Sequence, residues 1–421
     1  MKRLPTLLVA AALLSSRPLS AQEGGVETPH VFNRYADQVV KVQVIEAGSS
    51  AKAGVGSGFF VNDAGDVITN YHVIAELVHD PERYRAELVD ATGATSGVAI
   101  VAIDVVYDLA VLRAELRPSR HFVLAEASVA QGTRLYSLGH PGDLGLSIVE
   151  GTFNGLLQHT LYPKIHFTGS INPGMSGGPT ITHDGRVIGI NVSTAGNQVS
   201  FLVPVARAIA LLERAAGKAA AQPTELLAEV GRQIVAYQSE YLAGMFAREG
   251  KTVELGPYRA PTEPATFFRC WGDARRQPNL RYQKVTHSCS TDDYVYIAGD
   301  QETGLVELTH ELITTTSLNR FRFGALYTSI FGADNTPAGT VEHVTNWQCK
   351  TRNVRNETTP LRAALCVRRY RKFDGLYDAV LQTAVLGRRD SGLVSTLRLS
   401  GVSYENIAGL TKRYLERITW R

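Results

Sequence analysis

No cysteine occurs before Cys270, and the four present (Cys270, Cys289, Cys349 and Cys366) contain no Cys-x-x-Cys pair, so a zinc site of the usual ligand spacing is not expected. Long apolar runs are missing too. Beyond the first twenty or so residues, no stretch approaches the roughly 20 apolar residues that span a bilayer. Internal repeats are absent, as is any strong excess of one charge: 43 basic residues face 40 acidic ones, for a formal +3. With 44% hydrophobic and 20% charged residues, wholesale disorder is excluded. A chain of 421 residues has room for two or three domains.

The N-terminus is different in kind. Lys2 and Arg3 precede the apolar run Leu7-Leu8-Val9-Ala10-Ala11-Ala12-Leu13-Leu14, and Leu19-Ser20-Ala21 ends in a small residue suited to cleavage. This order reads as a signal peptide over residues 1–21, followed by a flexible leader over 22–30, and implies export to a periplasm or the extracellular space. Losing Lys2, Arg3 and Arg17 brings the net charge to about zero. Residues 22–250 carry 16 basic and 23 acidic groups, and residues 251–421 carry 24 and 17, which makes the second half +7. Arginines spread in this way read as a solvated surface, so no nucleic-acid partner is expected. Export makes disulfides the expected fate of the cysteines. Four cysteines allow three pairings; the sequence-local one, Cys270–Cys289 with Cys349–Cys366, closes the shortest loops.

Between residues 31 and 212 the pattern is one of short β-runs separated by Gly, Asn and Asp, at 39–45, 58–61, 67–69, 98–103, 109–112, 135–138, 165–168, 187–191 and 199–203. That spacing suggests a β-sandwich or barrel, with almost no helical signal before residues 205–212. Residues 213–250 read as a helical connector. Thr224 is placed to cap it, and Leu227, Val230, Ile234, Tyr237, Tyr241, Met245 and Phe246 recur at helical spacing. Pro257, Pro261 and Pro264 suggest a break in the chain. Residues 251–421 read as an α+β domain, with strand-like runs at 294–298, 304–308, 319–323, 364–370 and 393–399 and helices near 373–386 and 404–418.

Three segments of the first half carry chemistry. A strand, a turn at Asn62-Asp63-Ala64-Gly65 and a second strand deliver His72 at the second strand's end; Asp108 opens Asp-Leu-Ala-Val-Leu; and Ser176 lies in Asn172-Pro173-Gly174-Met175-Ser176-Gly177-Gly178-Pro179. A neutral serine hydroxyl is a poor nucleophile and needs a base within hydrogen-bond reach. Histidine titrates near neutrality and serves as that base, while a carboxylate behind it fixes the tautomer and steadies the imidazolium. The tetrahedral oxyanion needs preorganised N–H donors. The glycines around Ser176 let the Gly174 and Ser176 amides converge, and a side chain at Gly174 would obstruct them.

The motifs Gly-x-Gly-Ser-Gly-Phe (54–59), Thr-Asn-x-His-Val (69–73), Asp-Leu-Ala-Val-Leu (108–112) and Gly-x-Ser-Gly-Gly-Pro (174–179) occur in the order His, Asp, Ser. Together with Gly189-Ile190-Asn191 and Phe201-Leu202-Val203-Pro204, they resemble the HtrA/Deg branch of the trypsin-like peptidases over about residues 31–212. The resemblance implies a double six-stranded β-barrel with the active site between the barrels. It also implies His72 as general base, Asp108 as orienting acid and Ser176 as nucleophile, with protein or peptide substrates and no metal or organic cofactor. Asp104 competes with Asp108 for the acid's role, but only Asp108 opens the motif, which leaves Asp104 as a surface residue.

Two features depart from the family pattern. Met175 stands where Asn or Asp is usual, and no Gly-Leu-Gly-Phe-like loop of a PDZ domain follows residue 212. The primary substrate pocket is assigned to Val192, Ser193, Thr194, Gln198, Val199 and Ser200, none of them charged, which favours a small or medium apolar side chain before the scissile bond. Relatives of this kind are often trimers, yet only Phe32 and Tyr35 suggest an aromatic contact, so an oligomer is open. A catalytically silent trypsin fold acting as a binding module is the alternative. A second site from His287, Asp292, Asp293, His310, Glu311 and His343 matches no ligand spacing.

Overall fold

The β-branched and aromatic runs of the first half pair into two closed six-stranded antiparallel barrels. The computed structural model describes residues 27–126, 128–248, 250–274, 279–291, 293–332, 335–356 and 359–420; the expected signal peptide and residues 22–26 lie outside them. β1 (Val39–Glu46), β2 (Lys52–Phe60), β3 (Asp66–Thr69), β4 (Tyr84–Val89), β5 (Thr95–Asp104) and β6 (Leu109–Ala114) close in the order β1-β2-β3-β6-β5-β4. Strand β1 shows why: Val40, Val42 and Val44 alternate with longer polar residues and are buried in the barrel core. The second barrel, in the order β10-β11-β12-β9-β8-β7, uses β7 (Arg134–Gly139), β8 (Ser147–Leu156), β9 (Ile165–Phe167), β10 (Pro179–Ile181), β11 (Val187–Thr194) and β12 (Ser200–Pro204).

Two helices of this half run against the expectation. α1 (Glu27–Tyr35) takes in the last residues of the expected leader, because Val31 and Tyr35 bury against the barrels and Tyr35 stacks on Phe122 at 5.7 Å. α2 (Tyr71–His79) corrects the placing of His72. Strand β3 stops at Thr69, and His72 is the second residue of a helix capped by extended Asn70. Tyr71, Ile74, Ala75 and Val78 recur on one face and are buried. A short β-branched run cannot reveal by periodicity whether it is strand or helix, and packing against the barrel decides.

α3 (Val205–Ala215) leads to α4 (Pro223–Phe246). The cap of α4 is Gln222 rather than Thr224: Gln222 and Glu225 form a reciprocal capping box, with Pro223 at the first helical position. Its N-terminal half buries Leu226, Val230 and Ile234 in the first barrel's core; its C-terminal half buries Tyr241, Leu242 and Met245 in the second half of the chain. The helix thus belongs to both cores.

The second half is built on a seven-stranded antiparallel sheet in the order β15-β16-β19-β23-β22-β21-β20. Preceding it is the hairpin of β13 (Lys251–Leu255) and β14 (Tyr258–Thr262), whose β14 also pairs with the terminal β24 (Thr419–Trp420). The proline-rich stretch is therefore a hairpin and its edge, not a break: Pro257 sits in the turn beside Gly256 and Pro261 lies within β14. The sheet comprises β15 (Arg269–Asp273), β16 (Gln283–Ser290), β19 (Val306–Thr314), β20 (Gln348–Arg355), β21 (Pro360–Arg369), β22 (Tyr377–Val385) and β23 (Ser391–Val402); between β16 and β19 a separate hairpin is formed by β17 (Val295–Ala298) and β18 (Gln301–Thr303). α4 and α6 (Tyr404–Glu416) cover the sheet face bearing Leu381, Leu397 and Leu399, while α5 (Arg320–Phe331) covers the face bearing Ala384 and Val394.

Two expectations fail here for physical reasons. The helix expected near 373–386 is β22, an interior strand buried on both faces, so its mix of apolar and buried polar residues carries no two-residue period. The strand expected at 319–323 is the start of α5, where the Asn319 side chain accepts from the Phe321 and Arg322 amides. The disulfides pair as expected. Cys270–Cys289 joins β15 to β16 and Cys349–Cys366 joins β20 to β21, each at directly opposed positions. Both staples hold an edge strand to its neighbour.

Candidate active site

His72 and Asp108 meet because α2 and the turn before β6 leave the same rim of the first barrel. His72 Nδ1 and Asp108 Oδ2 are 2.6 Å apart, and the His72 backbone N–H donates to Asp108 Oδ1 at 2.8 Å. The carboxylate can only accept, so Nδ1 carries the proton and Nε2 is left free to act as a base. Asp108 is held at φ +52, a left-handed conformation in which Asp is enriched among non-glycine residues, and the Asn70 amide donates to its carbonyl at 2.7 Å. Burial pulls the His72 pKa down, but the Asp108 charge and hydrogen bond outweigh it, and the imidazole stands above its ordinary value. Asp104 is not part of this arrangement. It is not on the surface either: it is buried in an ion pair with Arg214 at 2.6 Å and caps the Tyr107 amide.

Ser176 lies in the turn between the second barrel's strands. Its Oγ donates to the Val192 carbonyl at 3.5 Å, a long bond, and in this rotamer is not engaged with the imidazole. Catalytic hydrogen bonds are often loose without substrate and tighten in the complex. The backbone of the turn is more fully determined. Gly174 has φ +94, and a Cβ there would lie 2.4 Å from the His140 carbonyl oxygen, so only glycine fits. The amides of Met175, Gly177 and Gly178 are bound internally, to Asn172, Asn191 and Met175 carbonyls. Among the described residues the Gly174 and Ser176 amides have no such acceptor and stay available to a ligand oxygen. Met175 itself is buried in the second barrel's core, so the replacement of Asn or Asp leaves no polar group at the turn's mouth.

Several supporting residues escaped the sequence reading although they stand inside the quoted motifs. Ser57 is fully buried; its Oγ donates to the Gly174 carbonyl at 2.7 Å and accepts from the His140 amide at 2.9 Å, while its own amide donates to the Ser176 carbonyl at 2.8 Å. One side chain of the first barrel thus ties together the Gly174 and His140 loops next to Ser176. Asn191, also fully buried, donates to the Leu138 and Met175 carbonyls and accepts from Ser137 and Thr180. Asp143, on the loop after His140, is held by Lys41 at 2.7 Å and by Lys52, which lowers its carboxyl pKa to about 2.

The six expected pocket residues fall into three groups. Val192 presents its carbonyl to Ser176 and Ser193 follows it, whereas Thr194, Gln198 and Val199 are exposed and close a loop in which the Thr194 hydroxyl bonds the Gly196 and Val199 carbonyls. Ser200 is buried and accepts from the Ile171 amide at 3.1 Å, which brings in Ile171, a buried residue that the sequence reading missed. The imagined second site does not assemble. Asp293 pairs with Lys164, Glu311 with Lys284, and His310 is buried between Ser395 and the Pro261 carbonyl; Asp292 lies outside the described residues. Cys270, His287 and Cys289 are close together, but both sulfurs are spent in the disulfide.

The second half of the chain reaches the site. The Tyr296 ring on β17 stands edge-on to His72 at 6.1 Å, and the Tyr71 hydroxyl, one residue before His72, donates to the Ile297 carbonyl at 2.9 Å. Lys164 and Asp293 form a nearly buried pair across the same junction at 2.7 Å, with side chains 12% and 11% exposed.

Known proteins resemble the first half of the chain. Residues 56–190 match the trypsin-like peptidase domain. The chain is 30% identical over 227 residues to Protease Do-like 1, chloroplastic, of Arabidopsis thaliana, covering 48% of this chain and 50% of that protein. It is 30% identical over 220 residues to Serine protease HTRA2, mitochondrial, of Bos taurus, covering 49% and 47%. The crystal structure of Deg5 is 29% identical and covers 45% of this chain and 94% of its own, with a TM-score of 0.40. The chain spans about half the length of these two curated relatives. It carries a trypsin-like peptidase domain, and its resemblance to the HtrA/Deg proteases extends over about half of its length.

Proposed function

We propose that the chain is a serine endopeptidase that cleaves polypeptides through an acyl-enzyme on Ser176. The observation that carries this reading is the His72–Asp108 pair at 2.6 Å, which leaves Nε2 as the base, together with a Ser176 turn whose Gly174 and Ser176 amides have no backbone acceptor among the described residues. His72 Nε2 takes the Ser176 proton as Oγ attacks the substrate carbonyl, and the developing oxyanion is received by the Gly174 and Ser176 amides. His72 then gives the proton to the leaving amine, and a water repeats the sequence to release the acid. Asp108 keeps the imidazole in its tautomer and steadies the imidazolium.

The uncharged residues Val192, Ser193, Ile171 and Ser200 favour a small or medium apolar side chain before the scissile bond. Export is proposed from the residue 1–21 pattern, and the two disulfides suit an oxidising compartment. The Ser176 hydroxyl's contact with Val192 favours a second reading, a silent fold that only binds. The two separate on denatured casein: the peptidase cleaves it and Ser176→Ala does not. Casein left intact by the wild type, or cleaved equally by Ser176→Ala, overturns the proposal.

A further inference from the structure

Helix α2 carries His72, and the second half of the chain holds that helix at both ends. At its first residue, the fully buried Tyr71 hydroxyl donates to the Ile297 carbonyl at 2.9 Å. That bond uses the hydroxyl's one proton, so His79 Nε2, 3.1 Å away, carries a hydrogen and donates to Tyr71. The last residue of the helix is thereby joined to the same bridge. Lys372 Nζ donates to the His79 carbonyl at 3.2 Å, and the Phe373 ring stands T-shaped to the His79 ring at 6.0 Å. Val295, Ile297 and Ala298 of the β17–β18 hairpin are buried in one apolar core with Tyr71, Ile74, Ala75 and Val78.

The hairpin that makes these contacts is itself fixed. Its base is tied to the seven-stranded sheet, where the Gly304 amide donates to the Ser400 carbonyl at 3.2 Å and the Thr291 amide to the Val306 carbonyl at 3.1 Å. Asp293, just before β17, accepts from the Leu161 amide at 2.9 Å and from Lys164 at 2.7 Å, and the Tyr294 carbonyl accepts from the Tyr162 hydroxyl at 3.2 Å. Residues 161–164 lie between β8 and β9 of the second barrel. The hairpin therefore bears on both barrels at once, on the helix of His72 and on a loop of the barrel to whose strands the Ser176 turn belongs. His72 is bonded to Asp108 through Nδ1 and its own amide, which fixes one edge of the imidazole. The Tyr296 ring packs on the imidazole itself, T-shaped at 80° with centroids 6.1 Å apart. Nε2 has to stay aimed at the attacking hydroxyl, and a misplacement of about 1 Å in such a group costs about 10²-fold in rate.

We infer that Tyr296 and Tyr71 are positioning residues, through which residues 251–421 hold His72 in register with Asp108 and Ser176. Tyr296 sets the plane of the imidazole, and Tyr71 anchors the first turn of the helix that carries it. The second half of the chain is then part of the catalytic apparatus and not a separate appendage. Its effect on turnover rests on the endopeptidase reading; the constraint on His72 does not.

The test compares full-length wild type, Tyr296→Ala, Tyr296→Phe and Tyr71→Phe, each checked for folding by thermal melting. Two quantities are read: steady-state cleavage of a quenched peptide, and the far-downfield proton resonance of the His72 Nδ1–H bonded to Asp108, identified by its absence in His72→Gln. Tyr296→Ala should lower kcat about tenfold or more with KM changed by less than about twofold, and should shift or broaden the resonance. Tyr296→Phe keeps the ring and should retain both. Tyr71→Phe leaves the Ile297 carbonyl without its donor and should lower kcat in the same way. A folded Tyr296→Ala protein with wild-type kcat and resonance overturns the inference. So does a change confined to KM, which would make Tyr296 a wall for the substrate. A wild type that cleaves nothing, with a resonance that still responds to Tyr296→Ala, sinks the endopeptidase reading alone. A wild type that cleaves, with both quantities indifferent to Tyr296→Ala, sinks the positioning role alone.

Discussion

Replacing Ser57 by alanine tests whether the nucleophile's turn is held from the opposite barrel. Ser57 Oγ is fully buried and makes two hydrogen bonds, one to the Gly174 carbonyl at 2.7 Å and one from the His140 amide at 2.9 Å. Alanine leaves both backbone groups without a partner in a site that excludes water. Each unsatisfied group costs about 1–3 kcal/mol, so about 2–6 kcal/mol must be absorbed, as lost stability or as movement of the two loops. Movement of the Gly174 peptide misdirects an oxyanion donor, and loss of one such donor lowers kcat about 10²–10³-fold. The expected result is therefore a kcat reduced by at least about tenfold with KM little changed, since the defect is felt in the transition state. Steady-state cleavage of a quenched peptide, with thermal melting alongside, reads both quantities. A folded Ser57→Ala enzyme with wild-type kcat would refute the clamp.

Further expectations follow from the same geometry. Gly174→Ala places a methyl 2.4 Å from the His140 carbonyl oxygen at a φ of +94, and should cost about 10²-fold or more in kcat, measured on the same peptide. Because Asp108 raises the His72 pKa and the base must be neutral, the acid limb of kcat/KM should lie above pH ~6.5. Asp108→Asn should lower kcat about 10⁴-fold and move that limb to lower pH in a pH–rate profile. In the second half, burial lowers the His310 pKa to about 4, with Nε2 donating to the Pro261 carbonyl and Nδ1 accepting from Ser395. The unfolded chain therefore binds the proton more readily between about pH 6.5 and 4. Its contribution, at most about 3 kcal/mol, is fully present above pH ~6.5 and lost as pH falls towards 4. Urea unfolding across that range should show the decline, and His310→Gln should flatten it.

The residues of the candidate site were more legible than the elements that carry them. His72, Asp108 and Ser176 stand in short motifs whose glycine, asparagine and proline neighbours are dictated by local backbone geometry. Ser57, Asn70 and Asn191 lay in the same motifs, yet their hydrogen bonds join segments far apart in the chain, and a motif does not state what its polar member will touch. Helix α2 was hidden because Val73-Ile74 suits a strand as well as a helix until the barrel claims one face. Strand β22 was hidden because burial on both faces erases alternation. The contact least readable beforehand joins Tyr71 to Ile297 across 226 residues; nothing in the composition of 251–421 points to the cleft. Asp104 was misplaced on the surface for a similar reason, since its partner Arg214 comes from the helix that follows the second barrel.

The central claim is that Ser176 is an activated nucleophile, and a fluorophosphonate probe with mass mapping of the adduct tests it most directly. The account predicts near-stoichiometric labelling of the folded protein on Ser176, lost in Ser176→Ala and strongly slowed in an His72→Ala variant. No adduct on the folded wild type, or an adduct on another residue that survives Ser176→Ala, would contradict it.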